Sequence, residues 1–456
     1  MPENFTAPKF LRTGEWQGYS NDMWHRKDKQ KTTVLFGFIE RRKTYFFKAY
    51  FDRNGYSCID MGDHFKEDVN YGKRYGNRMQ CNPLYFTTGA LVKFLLDIER
   101  NTGLSKEEIA DRYVFLGGGG QCGPCRYGMY PQEYLKAVND AGFKSFRLLI
   151  FSSDIADLSQ PKKSALKFNL LLRINMLIGI ILADLMHAAE CSLRAHARDT
   201  ASALKAIEEA ENILFAAFRK KFWIFHLPAA LKKAGKILAA VERYGRRLPL
   251  IFITGEFFAN LAHNDGNYNL RRFVSDEGCE AIPGLMTQRV LYDNWRRTQE
   301  GRLGVKYAAD RKEKRKFRKS LRKQKTADFF IIFFWNWYSS LINMNGFGGR
   351  AHLIDLDHLS ALARDYYHPH IFGGESNLEV AEAIFYADKV EGFISSKPFG
   401  CMPSSGVSDG VQTKIMAMYP SLNFLSIETS GDNEVNILSR VSMLLFKAKQ
   451  KTWAKG

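Results

Sequence analysis

Hydrophobic positions along the chain fall into short blocks rich in β-branched and aromatic residues, alternating with longer stretches whose apolar residues recur at helical spacing. The first block, Thr33 to Glu40 (TVLFGFIE), predicts a strand, followed by a helix over Thr44 to Asn54 that Gly55 ends. A short strand follows around Tyr56 to Met61. Asn82-Pro83 then opens a helix in which Leu91, Phe94 and Leu95 share a face. Ser105-Lys-Glu-Glu is close to a capping box and predicts another helix start. Tyr113 to Leu116 reads as a strand, Pro131 to Ala141 as a helix and Phe146 to Phe151 as a strand. From Lys163 to Arg247 the pattern is helical, with Pro228 as its one expected break. A second alternating unit begins with the strand Leu248 to Thr254, which ends in Gly255-Glu256. It continues with a helix over Val380 to Asp388, a strand over Glu391 to Ser395, a helix over Val411 to Tyr419, a strand over Leu422 to Ile427 and a closing helix over Glu434 to Lys449.

This order predicts an α/β fold of two Rossmann-like α/β lobes with a helical insertion. The boundaries expected are a surface extension over 1–32, a first lobe over 33–162, a helical layer over 163–247 and a second lobe over 248–456. Two apolar stretches bear on membranes. Phe168 to Met186 is interrupted by Arg173, Asn175 and Asp184, and Phe329 to Ile342 is shorter than the roughly 20 residues a spanning helix needs. Both read as buried helix or strand, with a subunit interface as the next reading. The second adjoins a basic run, which adds association with a membrane surface.

At 456 residues and 45% hydrophobic, the chain has room for more than one core. Its formal charge of +18 is concentrated, because Arg311 to Lys325 holds ten cations against one Glu. That run reads as a solvated segment or as a patch for an acidic partner or anionic cofactor. No RRM, KH, helix-turn-helix or zinc-finger pattern accompanies it, so nucleic acid is not the expected partner. Seven cysteines without a signal-peptide pattern predict a reducing, cytoplasmic setting with thiols as ligands or core residues.

The candidate chemistry centres on Gly117 to Cys125 (GGGGQCGPC). Cys122 and Cys125 lie three positions apart and can converge on one metal; zinc, an iron–sulfur cluster, thiol redox and a structural loop all fit a lone CxxC pair. The glycines, Gly119, Gly120 and Gly123 among them, offer unshielded backbone N–H groups to sulfur, which suits a cluster better than zinc. Cys81 stands just before a helix N-terminus, where the dipole favours a thiolate. Arg126 beside Cys125 is placed to stabilise added negative charge, or to make a surface ion pair. Glu256, His263 and Asp265 follow a strand end and fit substrate binding, proton transfer or helix capping. His368 and His370 precede Gly373-Gly-Glu375 and suggest a metal or a packed loop. Ser404, Ser405 and Ser408 after Cys401 fit helix capping or hydrogen bonds to sulfur, since no nucleophile elbow frames them.

Four segments carry a resemblance: Cys81-Asn-Pro-Leu-Tyr-Phe-Thr-Thr-Gly, Cys122-Gly-Pro-Cys-Arg-Tyr-Gly-Met-Tyr, Gly255-Glu-Phe-Phe with Asp265-Gly-Asn-Tyr, and Lys397-Pro-Phe-Gly-Cys-Met-Pro-Ser-Ser-Gly. From about residue 33 onward the chain resembles the 2-hydroxyacyl-CoA dehydratase superfamily, and within it the dehydratase-like region of the large CoA-substrate-specific activase proteins. The resemblance implies an iron–sulfur protein of anaerobic metabolism that takes single low-potential electrons from an ATP-hydrolysing, actin-like activator. Those electrons would serve radical dehydration or reduction of an acyl-CoA thioester; a non-catalytic electron-transfer or assembly subunit is the alternative. It also implies Cys81, Cys122, Cys125 and Cys401 as ligands of a [4Fe-4S] cluster between the lobes, in a homodimer or heterodimer. A double-cubane cluster would need Cys58, Cys191 and Cys279 as well, and these match no motif. Candidates for proton transfer under this reading are Glu256, His263 and Glu375. Two departures stand out: Cys279 occupies a position expected to be small, and Ile371 to Glu375 lacks an arginine before its glycines. No phosphate motif of actin-like ATPases or P-loops appears, so ATP hydrolysis is expected to belong to a separate protein.

Overall fold

A computed structural model describes residues 24–37, 40–120, 125–151, 166, 169–371 and 373–454. In the first lobe β1 (Thr33–Phe36), α1 (Arg41–Arg53), β2 (Ser57–Asp60), α2 (Lys66–Tyr75), α3 (Asn82–Thr102), α4 (Lys106–Arg112), β3 (Tyr113–Gly118), α5 (Tyr130–Asp140) and β4 (Arg147–Phe151) follow one another. The helical layer is α6 (Leu170–His196), α7 (Thr200–Phe218) and α8 (Trp223–Ala239). The second lobe runs through β5 (Leu250–Gly255), α9 (Phe257–Leu261), α10 (Leu270–Asp276), β6 (Glu280–Ile282), α11 (Met286–Tyr307) and α12 (Arg311–Leu341). It closes with α13 (Leu356–Ala363), α14 (Ser376–Tyr386), β7 (Gly392–Pro398), α15 (Asp409–Met418), β8 (Phe424–Thr429) and α16 (Glu434–Trp453).

Each lobe holds a four-stranded sheet, ordered β2-β1-β3-β4 and β6-β5-β7-β8, and all the pairings are parallel. The two orders are the same topology used twice. In such a sheet the chain leaves the two central strands toward opposite sides, which opens a crevice beyond their carboxyl ends. The loops there carry Glu40 after β1, Gly119, Gly120 and Cys125 after β3, Glu256 after β5 and Cys401 after β7.

Local chemistry explains the element ends. Gly55 and Gly103 take φ of +69° and +68° just beyond α1 and α3. The Ser105 hydroxyl accepts from the Glu108 N–H while Glu108 reaches back to the Ser105 N–H, forming the box that opens α4. Against expectation, Pro228 lies inside α8 and the chain breaks earlier, around 219–222. Pro228 forfeits only a bond to the Ile224 carbonyl, and Ile224 is itself 45% exposed, so water can serve that group. Of the expected N-terminal extension, Trp24 is buried in the first lobe against Tyr56, and residues 1–23 lie outside the described residues.

Helix α2 packs on α3 through two glycines. A Cβ added at Gly89 would sit 1.7 Å from the Asp68 carbonyl oxygen, and one at Gly72 would sit 2.0 Å from that of Tyr85. Gly89→Ala should therefore push the helices apart, lowering the unfolding midpoint by an amount corresponding to about 2–3 kcal/mol, overpacking having outweighed the usual helix gain of alanine. Thermal unfolding followed by circular dichroism checks this.

The lobes meet directly and through the helical layer. Phe86 of α3 stacks on Phe258 of α9 at 5.5 Å, and the Asp265 carboxylate accepts from the Lys66 N–H at 2.8 Å. Helix α6 is long and apolar enough to cross a membrane by length and composition, and 72% of its most apolar stretch is buried inside the protein. The other apolar stretch corrects the expectation of burial. It is the second half of α12, continuous with the basic run, and only one side of it is covered: Ile331, Trp335 and Tyr338 are buried while Phe329 and Phe330 are 64% and 50% exposed.

Candidate functional site

The loop after β7 docks on the start of α3. The Asn82 N–H donates to the Phe399 carbonyl at 3.0 Å, and Gly400, at φ +76°, lies against Cys81 so closely that a Cβ there would be 3.4 Å from the Cys81 Cα. Two cysteines from different lobes thus flank one backbone junction. Cys81 is the N-cap of α3 and Cys401 follows the junction; both are buried.

The Cys81 Sγ lies 3.2 Å from the Tyr130 hydroxyl, itself buried at the start of α5. The Cys401 thiol donates to Ser404 Oγ at 3.4 Å, and the Ser404 hydroxyl donates in turn to Glu379 Oε1 at 2.6 Å. Ser408 donates to the same carboxylate, and Gln412 donates to the Glu379 backbone carbonyl at 3.3 Å. Ser404 to Ser408 form a single π-helical turn before α15, a distortion that recurs at functional sites because it re-aims side chains. Ser404 thus bonds sulfur, while Ser405 is exposed and only its N–H serves the turn, donating to the Cys401 carbonyl.

Glu256 ends the loop after β5, where Gly255 at φ +132° passes so close to Ser396 that only glycine fits. Its carboxylate accepts from the Phe258 and Ala259 N–H groups at 2.8 and 3.1 Å and so caps α9. Arg126 donates to the Met79 carbonyl, and its buried Nε has no hydrogen-bond partner among the described residues. Cys125 caps a short 3-10 turn, its sulfur accepting from the Tyr127 N–H at 3.5 Å. Cys122 and Gly123 lie outside the described residues. Gly118 and Gly119 bring the backbone against Tyr127 and Pro131, and Gly120 donates to the Tyr127 carbonyl at 3.4 Å.

Burial dominates the protonation of this region. It pushes the Cys81 thiol up, with the Tyr130 hydrogen bond and Arg126 opposing and Glu256 adding to the rise. Cys401 rises for the same reason, with Glu256 and Glu379 adding to it. The expectation of a Cys81 thiolate at a helix N-terminus is therefore corrected for the protein alone: loss of water outweighs the helix dipole, and a thiolate there needs a metal to hold it. Glu256 is held well above the usual carboxylate range, first by burial and further by Glu379, against its two backbone hydrogen bonds. Glu379 is raised by burial against the Ser404 and Ser408 hydroxyls. Glu382, one turn along α14, is pushed up to about 8 by burial, with the Thr254 hydroxyl opposing.

The raised Glu382 gives a sign that can be checked. The folded protein holds this proton from the unfolded carboxyl range up to about pH 8, so stability falls as pH rises through that window, by at most about 1.4 kcal/mol per pH unit. Glu382→Gln should flatten the dependence of the urea midpoint between about pH 5 and 8; an unchanged slope contradicts the assignment.

The other sequence candidates disperse. Glu375 is tied to Arg289 by an ion pair of 2.7 Å. His368 and His370 are exposed on the loop before α14. His263 sits beside Glu40 and His187 instead of the cysteines. Cys279 is core of the second lobe, Cys58 hydrogen-bonds Asp52 and Cys191 lies one turn from His187 on α6. No known protein family and no curated protein matches this chain. Sequence reasoning passed over Tyr130, Glu379 and Glu382; the one available signal was an acid pair at i, i+3 on a helix otherwise apolar and small.

Proposed function

We propose that this protein carries an iron–sulfur cluster, of the [4Fe-4S] type, between its lobes, and uses single electrons from an ATP-hydrolysing activator to dehydrate or reduce an acyl-CoA thioester. The observation that carries the reading is the meeting of Cys81 and Cys401, from separate lobes, at one buried backbone junction. The donor set fits such a group. Soft thiols are available from Cys81, Cys125 and Cys401, with Cys122 the implied fourth, and the Arg126 Nε and the buried Asn82 side-chain amide are at hand as hydrogen-bond donors. When bound, the cluster would supply a low-potential electron.

The chain's own residues would handle protons and charge. Burial raises the Glu256 carboxyl to about 7 and pushes that of Glu379 up, and Ser404 links Glu379 to the Cys401 sulfur. Arg126 would offset added negative charge beside Cys81. The burial of both thiols favours a second reading, an electron-transfer or assembly subunit whose cluster no substrate needs to reach.

Turnover separates the two. Reconstituted protein is mixed anaerobically with an activator, ATP, a reductant and a 2-hydroxyacyl-CoA, and enoyl-CoA formation is followed. Enoyl product that depends on ATP supports the enzyme; reoxidation of the activator without product supports the carrier.

A further inference from the structure

A second group of donors lies apart from the cysteines, where the first lobe, the helical layer and the second lobe meet. Glu40 at the entry to α1, His187 of α6 and His263 beyond α9 point one atom each at a common centre, and Glu40 Oε1, His187 Nδ1 and His263 Nε2 all lie within 4.8 Å of one another. The carboxylate oxygen is 3.8 Å from the His187 nitrogen and 3.5 Å from that of His263, too far for good hydrogen bonds. All three atoms are buried with no hydrogen-bond partner among the described residues. Native proteins rarely leave three converging polar atoms so.

We infer that Glu40, His187 and His263 bind a divalent first-row transition ion, zinc or ferrous iron. Metal–ligand bonds of roughly 2.0–2.1 Å at tetrahedral angles set neighbouring donor atoms roughly 3.3 Å apart, against 3.8 and 3.5 Å from the Glu40 oxygen to the two histidine nitrogens here. Both imidazoles are held neutral, the ligand form, chiefly by burial. The ligands are fixed from behind: Lys43 holds the other Glu40 oxygen and also faces Asp184 at 3.6 Å. Of the cations nearby, Arg42 is answered by Glu190 and Glu211 and Lys43 by Glu40 and Asp184, whereas buried Arg271 donates to the neutral Asn260 and is the one positive charge facing both histidines that no acid pairs among the described residues. A cavity of about 30 Å³ borders His187 and His263, enough for one water as a fourth ligand. Two histidines, one carboxylate and an open position make a site that can activate water or bind a small anion. The inference does not rest on the cluster reading.

Cobalt is the probe. The full chain bearing Cys81→Ala/Cys401→Ala, so that the cysteine site does not compete for the probe, is loaded with Co²⁺, freed of excess metal, and examined by visible absorption and elemental analysis. One Co²⁺ per chain with d–d bands and no thiolate charge transfer is expected. Adding His263→Ala, at a side chain 28% exposed, should lower retention about tenfold or more. Parallel loading with zinc and ferrous iron then ranks the two ions. His187→Gln, with its melting curve compared to wild type, guards against a folding artefact. No ion retained by the cysteine-depleted chain, equal retention once His263→Ala is added, or thiolate charge transfer from the retained ion would each overturn the site.

An independent observation concerns α12. At 100° per residue, Arg311, Arg315, Arg318, Arg322 and Lys325 fall on one line along the helix, and the same line continues as Phe329, Ile332, Phe333 and Asn336. These positions are exposed, Phe333 by 48% and Ile332 by 42%, so a strip about 38 Å long is cationic in its first part and apolar in its second. We propose that this strip docks on an anionic lipid bilayer, the aromatic half entering the headgroup boundary and the cations pairing with lipid phosphates. A parallel second copy would set the five cations of one strip against the five of the other, which argues for lipid over self-pairing.

Co-sedimentation with phosphatidylcholine vesicles, with and without phosphatidylserine, tests this. Binding to the anionic vesicles only is expected, lost in high salt and weakened about tenfold or more in Phe329→Ala/Phe333→Ala and in Arg315→Glu/Arg318→Glu/Arg322→Glu. Absence of binding to anionic vesicles, equal binding by these variants, or a dimer in solution that needs the same residues and excludes vesicles would overturn the proposal.

Discussion

Replacing Cys401 by alanine is expected to abolish the brown chromophore of anaerobically reconstituted protein, while Cys279→Ala leaves it intact. The contrast follows from where each sulfur lies. Cys401 emerges at the carboxyl end of β7, beside the junction that brings Cys81 from the other lobe, with Ser404 bonded to its sulfur. Cys279 packs among Val274, Ala281 and Val441 in the core of the second lobe. Removing a cluster ligand takes away both a bond and the thiolate charge that balances iron, so labile sulfide should fall about tenfold or more, whereas the loss at Cys279 is one of packing. Intact sulfide in Cys401→Ala, or its loss in Cys279→Ala, would reverse the ligand assignment.

Lys43→Met should be the most destabilising single change at the meeting of the three layers. Lys43 is buried on α1 between Glu40 and Asp184, and Asp184 of α6 accepts from Thr287 N–H and Oγ1, both at 2.7 Å, and from the Met286 N–H at 3.2 Å at the start of α11. One ammonium thus ties the first lobe to the layer, and through Asp184 to the second lobe. Methionine keeps the volume but leaves two buried carboxylates facing each other without a cation, at a cost of about 3–5 kcal/mol. Lys48→Met, which removes a half-exposed pair with Asp52 one turn along the same helix, should cost less than about 1 kcal/mol. Urea midpoints of the two variants side by side decide it, and similar midpoints contradict the account.

Much of the fold was legible because the strands announce themselves. TVLF, YVFL and LIFIT are short apolar runs ended by glycine, and GFIS runs through Ser396 into Lys397, as buried parallel strands require. The three-residue β6 carries too little pattern to be read. Exposure on α12 was hidden for the opposite reason: FFIIFFWNWY is apolar on every side, so periodicity cannot say which face is covered. The thiol state of Cys81 was misread because a sequence shows a helix start and not the desolvation around it. That Cys81 and Cys401 meet came only from resemblance, since no spacing rule links such distant positions. Glu40, His187 and His263 are likewise scattered over three layers, and their convergence is visible only in the folded chain.

Iron and acid-labile sulfide analysis of wild-type protein purified without oxygen tests the central claim most directly. About four irons and four sulfides per chain are predicted, with any further metal accounted for by the histidine site. Protein that holds zinc and no labile sulfide would contradict it.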